Sequence, residues 1–377
     1  MLKHKISSVK SSIFLNLKNI PGWRTSRKIL VIECDDWGGI RMPSKNVYNQ
    51  LLSVGLNVKT GRFNKYDTIE TEEDLIQLFY VLTSVRDQNS KPAVMTPFTI
   101  VANPDFEKIK TGGFNEYYYE RFPNTLNKYY PEQNVFKIWQ EGIEAGIFLP
   151  ELHGRDHTSV YLWMKKLKEG NRELISAFEH GFVSLDVQDI PSQVRDFRAE
   201  FYFASDKEKS FLVGTINDSI NIFNQIFGHQ PIAFAPANGI FPRDFDNILD
   251  SAGIRFLNVS RSSPYPAGGG EIKYRYFITG QKGPGKLTYY VRNCVFEPTE
   301  TDYRGIEPTL KQINAAFRWG KPAIVSTHRV NYTGGIDPTN RTQGLTELKK
   351  LLKAAVKMWP EIEFLSSGDA LQIMRDQ

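Results

Sequence analysis

The sequence is poor in thiols and imidazoles: two cysteines and six histidines in 377 residues. Cys34 and Cys294 stand in unrelated contexts, so they make neither a disulfide framework nor a CxxC zinc site. Two such thiols fit a reducing compartment. No apolar run approaches the ~20 residues that span a bilayer. There is no internal repeat and no low-complexity segment. Neither sign of charge dominates: 47 Lys and Arg against 42 Asp and Glu leave +5. Dedicated nucleic-acid binders concentrate far more positive charge, and no nucleic-acid partner is expected. The rest is ordinary globular composition, 41% hydrophobic and 24% charged, which excludes a disordered or collagen-like chain. A chain this long buries enough core to fold without a structural metal.

Residues 1–27 are basic: Lys3, Lys5, Lys10, Lys18, Arg24 and Arg27 precede the first acid, Glu33. Their apolar stretch Ile13-Phe14-Leu15 breaks at Asn16, and no A-x-A-like site follows. No secretory signal is read here, and the expected location is cytoplasmic. A basic amphipathic helix would allow peripheral contact with an anionic membrane; a packed N-terminal helix is the simpler reading.

From residue 28 onward, strand-like and helix-like pieces alternate. Lys28–Cys34, Ala93–Val101, Ile147–Leu152, Ile232–Ala235, Arg255–Val259 and Ala323–Thr327 read as short buried strands. Tyr274–Thr279 and Leu287–Val295 read as paired strands. Helices are expected over Val135–Ala145, Ser159–Lys168, Asn171–His180, Leu212–Phe227, Pro242–Ala252, Pro308–Trp319 and Gly344–Met358. This alternation predicts an α/β fold with a mainly parallel sheet, either a barrel or an open doubly wound sheet. The stretches 55–75 and 104–134 lack clean periodicity and read as loop insertions on the rim where such folds build sites. No linker divides 28–377, which is read as a single domain behind the basic segment 1–27.

Polar residues gather where the apolar runs end. The first run closes in Asp35-Asp36-Trp37-Gly38, two carboxylates that can take different roles, one on a metal and one as a proton acceptor; a loop cap explains them as well. The third closes in His153-Gly154-Arg155-Asp156-His157. Histidines at i and i+4 share one face of a helical turn and can hold one metal ion, although two unrelated surface histidines would give the same spacing. His328 ends a late strand, where a lone His is commonly structural. Pro236-Ala237-Asn238-Gly239 offers a backbone amide as an oxyanion donor, or an ordinary turn. His4, His180 and His229 lack such settings and read as surface or packing residues.

Taken in order along the chain, these pieces resemble the NodB-homology polysaccharide deacetylases, carbohydrate esterase family four. The resemblance spans roughly residues 28 to 370. It implies a distorted (β/α) barrel, seven-stranded as is common in that family, with loop insertions on the site rim. Asp35 matches the family's base and Asp36 its metal-binding Asp; His153 and His157 match its H-[ST]-x-x-H pair, with Gly154 in the small position. His328 matches its acid. The implied reaction is metal-dependent removal of an acetyl group from an N-acetylated sugar, in surface-polysaccharide metabolism. The implied ion is a single divalent metal, Zn²⁺ first, with Co²⁺, Ni²⁺ or Fe²⁺ allowed by mixed N and O ligands. Asn238 and Gly239 would face the oxyanion, and Trp37 would either stack on a sugar or pack under its loop. A cytoplasmic enzyme of this kind would take an N-acetyl sugar, a sugar nucleotide or a lipid-linked glycan.

The sequence also departs from the family. Cys34 precedes the two acids where Phe is usual, and Trp37 follows where Gly is usual. The family's third motif, R-x-P-[FY], has an Arg that pairs with the base; here Phe234 holds that position and Ala237 the aromatic one. Arg41, Arg155 and Arg329 are the candidate replacements, because each sits beside a motif. Glu297 is the candidate acid that orients His328. Two other readings remain: a metal-independent glycosidase acting through Asp35 and Glu297, and a carbohydrate-binding protein that keeps the fold without turnover.

Overall fold

The structure is a computed structural model that describes residues 13–376 apart from 189, 191 and 193. Lys3, His4, Lys5 and Lys10 therefore lie outside the described residues. Nine strands make the main sheet: β1 (Lys28–Trp37), β2 (Met95–Ile100), β3 (Glu151–Gly154), β4 (Ala233–Phe234), β5 (Phe256–Asn258), β6 (Thr288–Tyr290), β7 (Cys294–Val295), β8 (Ala323–His328) and β9 (Ile362–Phe364). All pairings in it are parallel. The order across the sheet is β6-β5-β4-β3-β2-β1-β8-β7, with β9 beside Lys28–Leu30 of β1. Eight strands thus follow one another round the sheet, one more than the seven expected.

The sheet is strongly curled. Its two edge strands, β6 and β7, are consecutive in the chain and joined only by residues 291–293. Four Cα steps reach at most roughly 14 Å, so the two edges must face each other across a narrow gap. The expected single strand Leu287–Val295 is therefore two strands on opposite edges. Its expected partner is also different: Ile272–Tyr276 pairs antiparallel with Ser262–Pro266 in a separate hairpin.

Strand alternation sets what each face does. On β1, Leu30, Ile32 and Cys34 face outward onto helices Glu72–Thr83, Val135–Glu144, Glu307–Arg318 and Pro338–Met358. Helix Asp206–Phe227 covers β3, β4 and β5 through Leu212, Ile216, Ile220 and Phe223. Ile29 and Val31 face inward with Phe98, Phe256, Tyr290 and Ile324, where Ala370, Leu371 and Met374 of the C-terminal helix Ser367–Asp376 close the bottom. The next inward positions of β1 are Glu33 and Asp35, so the interior turns from apolar to charged as it rises toward the strand C-terminal ends.

The two stretches read as insertions are more regular than expected. They contain helices Arg62–Tyr66, Glu72–Thr83, Phe106–Thr111 and Phe122–Tyr129, and Ala102–Pro104 pairs with Tyr119–Arg121. Three of the helices have eight residues or fewer, and the fourth, Glu72–Thr83, only begins inside the first stretch, so a periodicity window confined to these stretches sees little of them. The described part of the N-terminal segment is stapled to the barrel. Trp23 N–H donates to Thr279, Thr25 N–H to Gly320, and Lys18 Nζ to the Asn293 carbonyl. No helix among the described residues is long and apolar enough to cross a membrane.

Gly344, in helix Pro338–Met358, rests against the backbone of Asn331, just past β8. A Cβ there would overlap the Asn331 carbonyl. Backbone cannot step aside as a side-chain tip can. Gly344→Ala is expected to destabilise the fold by about 1–3 kcal/mol, read as a lower denaturant midpoint at unchanged m-value.

Candidate active site

A cavity of about 590 Å³ opens at the strand C-terminal ends. Asp35, Asp36, His153, His157 and His328 all line it. Asp35 and Asp36 are adjacent on a strand and would ordinarily point to opposite faces. Asp36, however, has φ 77°, and the pairing of β1 with β2 slips between Cys34 and Trp37. This bulge breaks the alternation and lets both carboxylates face the cavity. It also turns Trp37 into the core. Trp37 is fully buried, edge-on to Phe148 and Trp139 at 4.9 and 6.0 Å between centroids. Of the two readings of Trp37, packing under the loop is the one found, and sugar stacking is ruled out by its burial.

His153 and His157 meet by a different route from the helical turn expected. His153 is on β3 and His157 lies beyond it, with φ 136° at Gly154 and φ 49° at His157. A Cβ on Gly154 would overlap the Glu200 carboxylate. Glu200 accepts from the backbone N–H of Arg155 and of His157 and so holds the turn between the two rings. Nothing in the spacing pointed to Glu200, which lies more than forty residues downstream.

His153 donates from Nδ1 to the Ala235 carbonyl at 2.6 Å, which leaves the Nε2 lone pair for the cavity. His153 Nε2 and His157 Nε2 lie 3.5 and 3.1 Å from Asp36 Oδ1, and the three donor atoms are all within 4.8 Å of one another. Donors at ~2.1 Å from a tetrahedral Zn²⁺ sit roughly 3.4 Å apart. Asp36, His153 and His157 therefore fit a divalent ion. Burial first, and then the charge of Arg198, pushes the His157 pKa down to about 4. That keeps its ring neutral, the form that binds metal.

The partner of Asp35 is Arg292. Its Nη1 and Nη2 donate to the two carboxylate oxygens of Asp35 at 2.5 and 2.7 Å, while Nε donates to Glu33. Its guanidinium also lies 4.9 Å from the centre of the Phe98 ring. Arg292 sits in the three-residue link between β6 and β7 and reaches inward to β1. Burial would raise the Asp35 pKa, but Arg292 outweighs it and holds the carboxyl below its usual range. The three arginines expected in this role are engaged elsewhere. Arg41 donates to Asn64, and its Nη2 lies 4.0 Å from Asp196. Arg155 pairs with Asp156 and Asp218, and Arg329, fully buried, with Asp67 and Glu70.

His328 Nδ1 donates to Glu297 Oε1 at 2.6 Å, and its Nε2 faces Asp35 Oδ2 at 3.9 Å. Glu297 is itself held by Arg62 and by Asn331 Nδ2. Burial pulls the His328 pKa down, yet Glu297 and the two cavity aspartates outweigh it and lift the value to about 9. Phe63, from the first insertion, lies edge-on to the His328 ring at 5.3 Å. Asn238 and Gly239 line the cavity with φ 54° and 66°. Gly239 N–H is already bonded to the Pro236 carbonyl, so it is not available to an oxyanion.

No protein-family model matches the chain, and no curated protein matches it. Solved structures do superpose. One assigned to a polysaccharide deacetylase of Mycobacterium smegmatis is 11% identical, with TM-score 0.46, over 95% of this chain and 93% of that one. One assigned to a polysaccharide deacetylase of Pseudomonas aeruginosa PAO1 is 10% identical, with TM-score 0.46, over 93% and 92%. The 4-alpha-glucanotransferase of Thermococcus litoralis is 9% identical, with TM-score 0.45, over 92% of this chain and 40% of its own. These likenesses are distant, and the chemistry open to the site follows from its own geometry.

Arg292→Leu removes the cation between two buried carboxylates on the same face of β1. Uncompensated charges of this kind cost about 3–5 kcal/mol. The variant is expected to show that loss in denaturant unfolding. A loss under 1 kcal/mol would mean Glu33 and Asp35 do not depend on it.

Proposed function

We propose that this chain is a metal-dependent hydrolase that removes the acetyl group from an N-acetylated sugar. One observation carries the reading: a carboxylate and an imidazole, each held by its own counter-charge, face each other beside a three-donor metal site in a single cavity. Metal-assisted amide hydrolysis uses all three: a base for the water, an acid for the leaving amine and a site for the ion. A divalent ion at Asp36, His153 and His157 would polarise the acetyl carbonyl and lower the pKa of a water toward ~7.

The residues supply the proton transfers. Asp35 takes a proton from water as its oxygen attacks the acetyl carbon. Arg292 keeps Asp35 ionised and aims it, at the cost of some basicity. His328 carries its proton at Nε2, because Nδ1–H is bound to Glu297. It gives that proton to the departing amine, which leaves poorly as an anion. Acetate and the free amino sugar result. At neutral pH the base is empty and the acid is loaded, the starting states the reaction requires.

The glycosidase reading draws less support. Its general acid needs a raised carboxyl pKa. Burial pushes both Asp35 and Glu297 upward, but Arg292 at the first and His328 at the second outweigh it and hold each below its usual range.

Elemental analysis is expected to give about one divalent ion per chain, lost in Asp36→Ala and in His153→Ala. Asp35→Asn and His328→Ala should keep the ion and release acetate from N-acetyl glycans at least about a hundredfold more slowly. Metal retained in both ligand variants would show that the ion is held elsewhere.

The pH profile tests the acid. With its pKa at about 9, His328 is protonated below that value and loses its proton above it. Activity should hold to about pH 9 and then fall tenfold per unit. Glu297→Gln removes the main counter-charge and should move this limb down by about one to two units. An unmoved limb would remove His328 as its source.

A further inference from the structure

Most charges in the cavity are matched. Arg292 lies between Glu33 and Asp35, His328 faces Glu297, and Arg41 has Asp196 at 4.0 Å. Lys18 and Arg261, which line the same cavity, are different. Lys18 Nζ donates to the Asn293 carbonyl, and Arg261 Nη1 to the Tyr276 hydroxyl; both acceptors are neutral. No carboxylate lies within ion-pair distance of either among the described residues.

A third cation stands behind them. Lys321, 4% exposed, gives its ammonium protons to the Gly22 and Trp23 carbonyls. Lys18, Arg261 and Lys321 together line a small recess that shares Val291 and Asn293 with the main cavity. The recess is only about 10 Å³, room for no more than a water. An anion meeting these cations therefore sits on the cavity side, against Lys18 and Arg261. The three repel one another. Burial first, then the charges of Arg24 and Arg261, pushes the Lys321 pKa down to about 8, and burial with Arg261 lowers that of Lys18. Such a cluster is relieved by a bound anion. A carboxylate brings one charge and a phosphate about two, in a shape that the Arg fork and a Lys point charge share.

We infer that the substrate is a phosphorylated N-acetyl sugar, its phosphate or diphosphate seated against Lys18 and Arg261 while the acetamido group lies at Asp35 and His328. This rests on the deacetylase reading. The cavity volume lies in the range that encloses a drug-sized molecule, enough for a sugar and its phosphates. A nucleoside diphosphate and a polyprenyl diphosphate present the same group, and the experiment separates them.

The experiment measures Kd by calorimetry, and acetate release, for four ligands: a neutral N-acetylhexosamine, its 1-phosphate, its nucleoside diphosphate ester, and its polyprenyl diphosphate ester in micelles. The phosphorylated ligands should bind at least tenfold more tightly, in metal-loaded and chelator-treated protein alike, and less so as salt rises. The preference should vanish in Lys18→Gln/Arg261→Gln, with circular dichroism unchanged, and survive largely in Arg261→Lys. Whichever diphosphate ester loses acetate faster identifies the source. Equal affinity for neutral and phosphorylated ligands, a preference lost with the metal, or one intact in the double variant overturns the inference. Equal acetate release from all four with equal affinity does so while leaving the deacetylase reading standing. Phosphate-dependent binding with no acetate released from any ligand does the reverse.

Discussion

Arg292 is where the barrel and its chemistry meet. The guanidinium comes from the link between the two edges of the sheet and binds two carboxylates of the central strand β1. Without it, Glu33 and Asp35 would face the same interior as uncompensated neighbours. Burial would then drive at least one of them to hold a proton. With it, the interior rises from an apolar floor through one matched layer of charge to an ionised carboxylate at the cavity. Tyr290 and Ser367 hydroxyls bond the remaining edges of Glu33, so the layer is anchored to β6 and to the C-terminal helix as well.

The second constraint is backbone conformation. Asp36 and His157 both adopt left-handed φ, and Gly154 is at φ 136°. Non-glycine residues pay for this region of φ/ψ space, and such strain persists only where the surroundings enforce it. At Asp36 the enforcing element is the bulge between β1 and β2. At His157 it is Glu200, which takes the backbone N–H of Arg155 and of His157. A serine at 154, usual in the resembled family, would collide with that carboxylate. The glycine and the glutamate therefore belong together: any side chain at 154 requires the carboxylate at 200 to move or be replaced.

Much of the fold was legible because parallel strands buried on both faces read as apolar runs. β1, β2 and β8 stand out this way, and the polar residues that end β1, β3 and β8 do come to one cavity. The rest was hidden for physical reasons. A break after Tyr290 is easily missed inside Leu287–Val295, since Val291, Cys294 and Val295 flank Arg292 and Asn293 and two polar residues alone do not mark a strand end. Stacking and packing could not be told apart for Trp37, because the bulge at Asp36 that turns it into the core leaves no mark in the residue order. Arg41, Arg155 and Arg329 looked eligible from proximity in sequence, which says nothing about the acids that already hold them. Glu297 could be singled out, as it follows an apolar run toward the same rim. Glu200 and Lys321 could not, because neither stands near a motif.

The link between β6 and β7 has two faces with two clients. Arg292 points inward to the carboxylate of Asp35. The next residue, Asn293, holds the N-terminal segment: its backbone carbonyl takes Lys18 Nζ, its side-chain Nδ2 donates to Asn19 Oδ1 and to the Pro322 carbonyl, and its side-chain oxygen accepts from the Ile324 N–H. The N-terminal segment is thus moored one peptide bond from the side chain that aims Asp35. Two neighbouring residues of one short link thus tie together the start of the described chain and the charged layer of the sheet interior, so a change in the length of that link would disturb both at once.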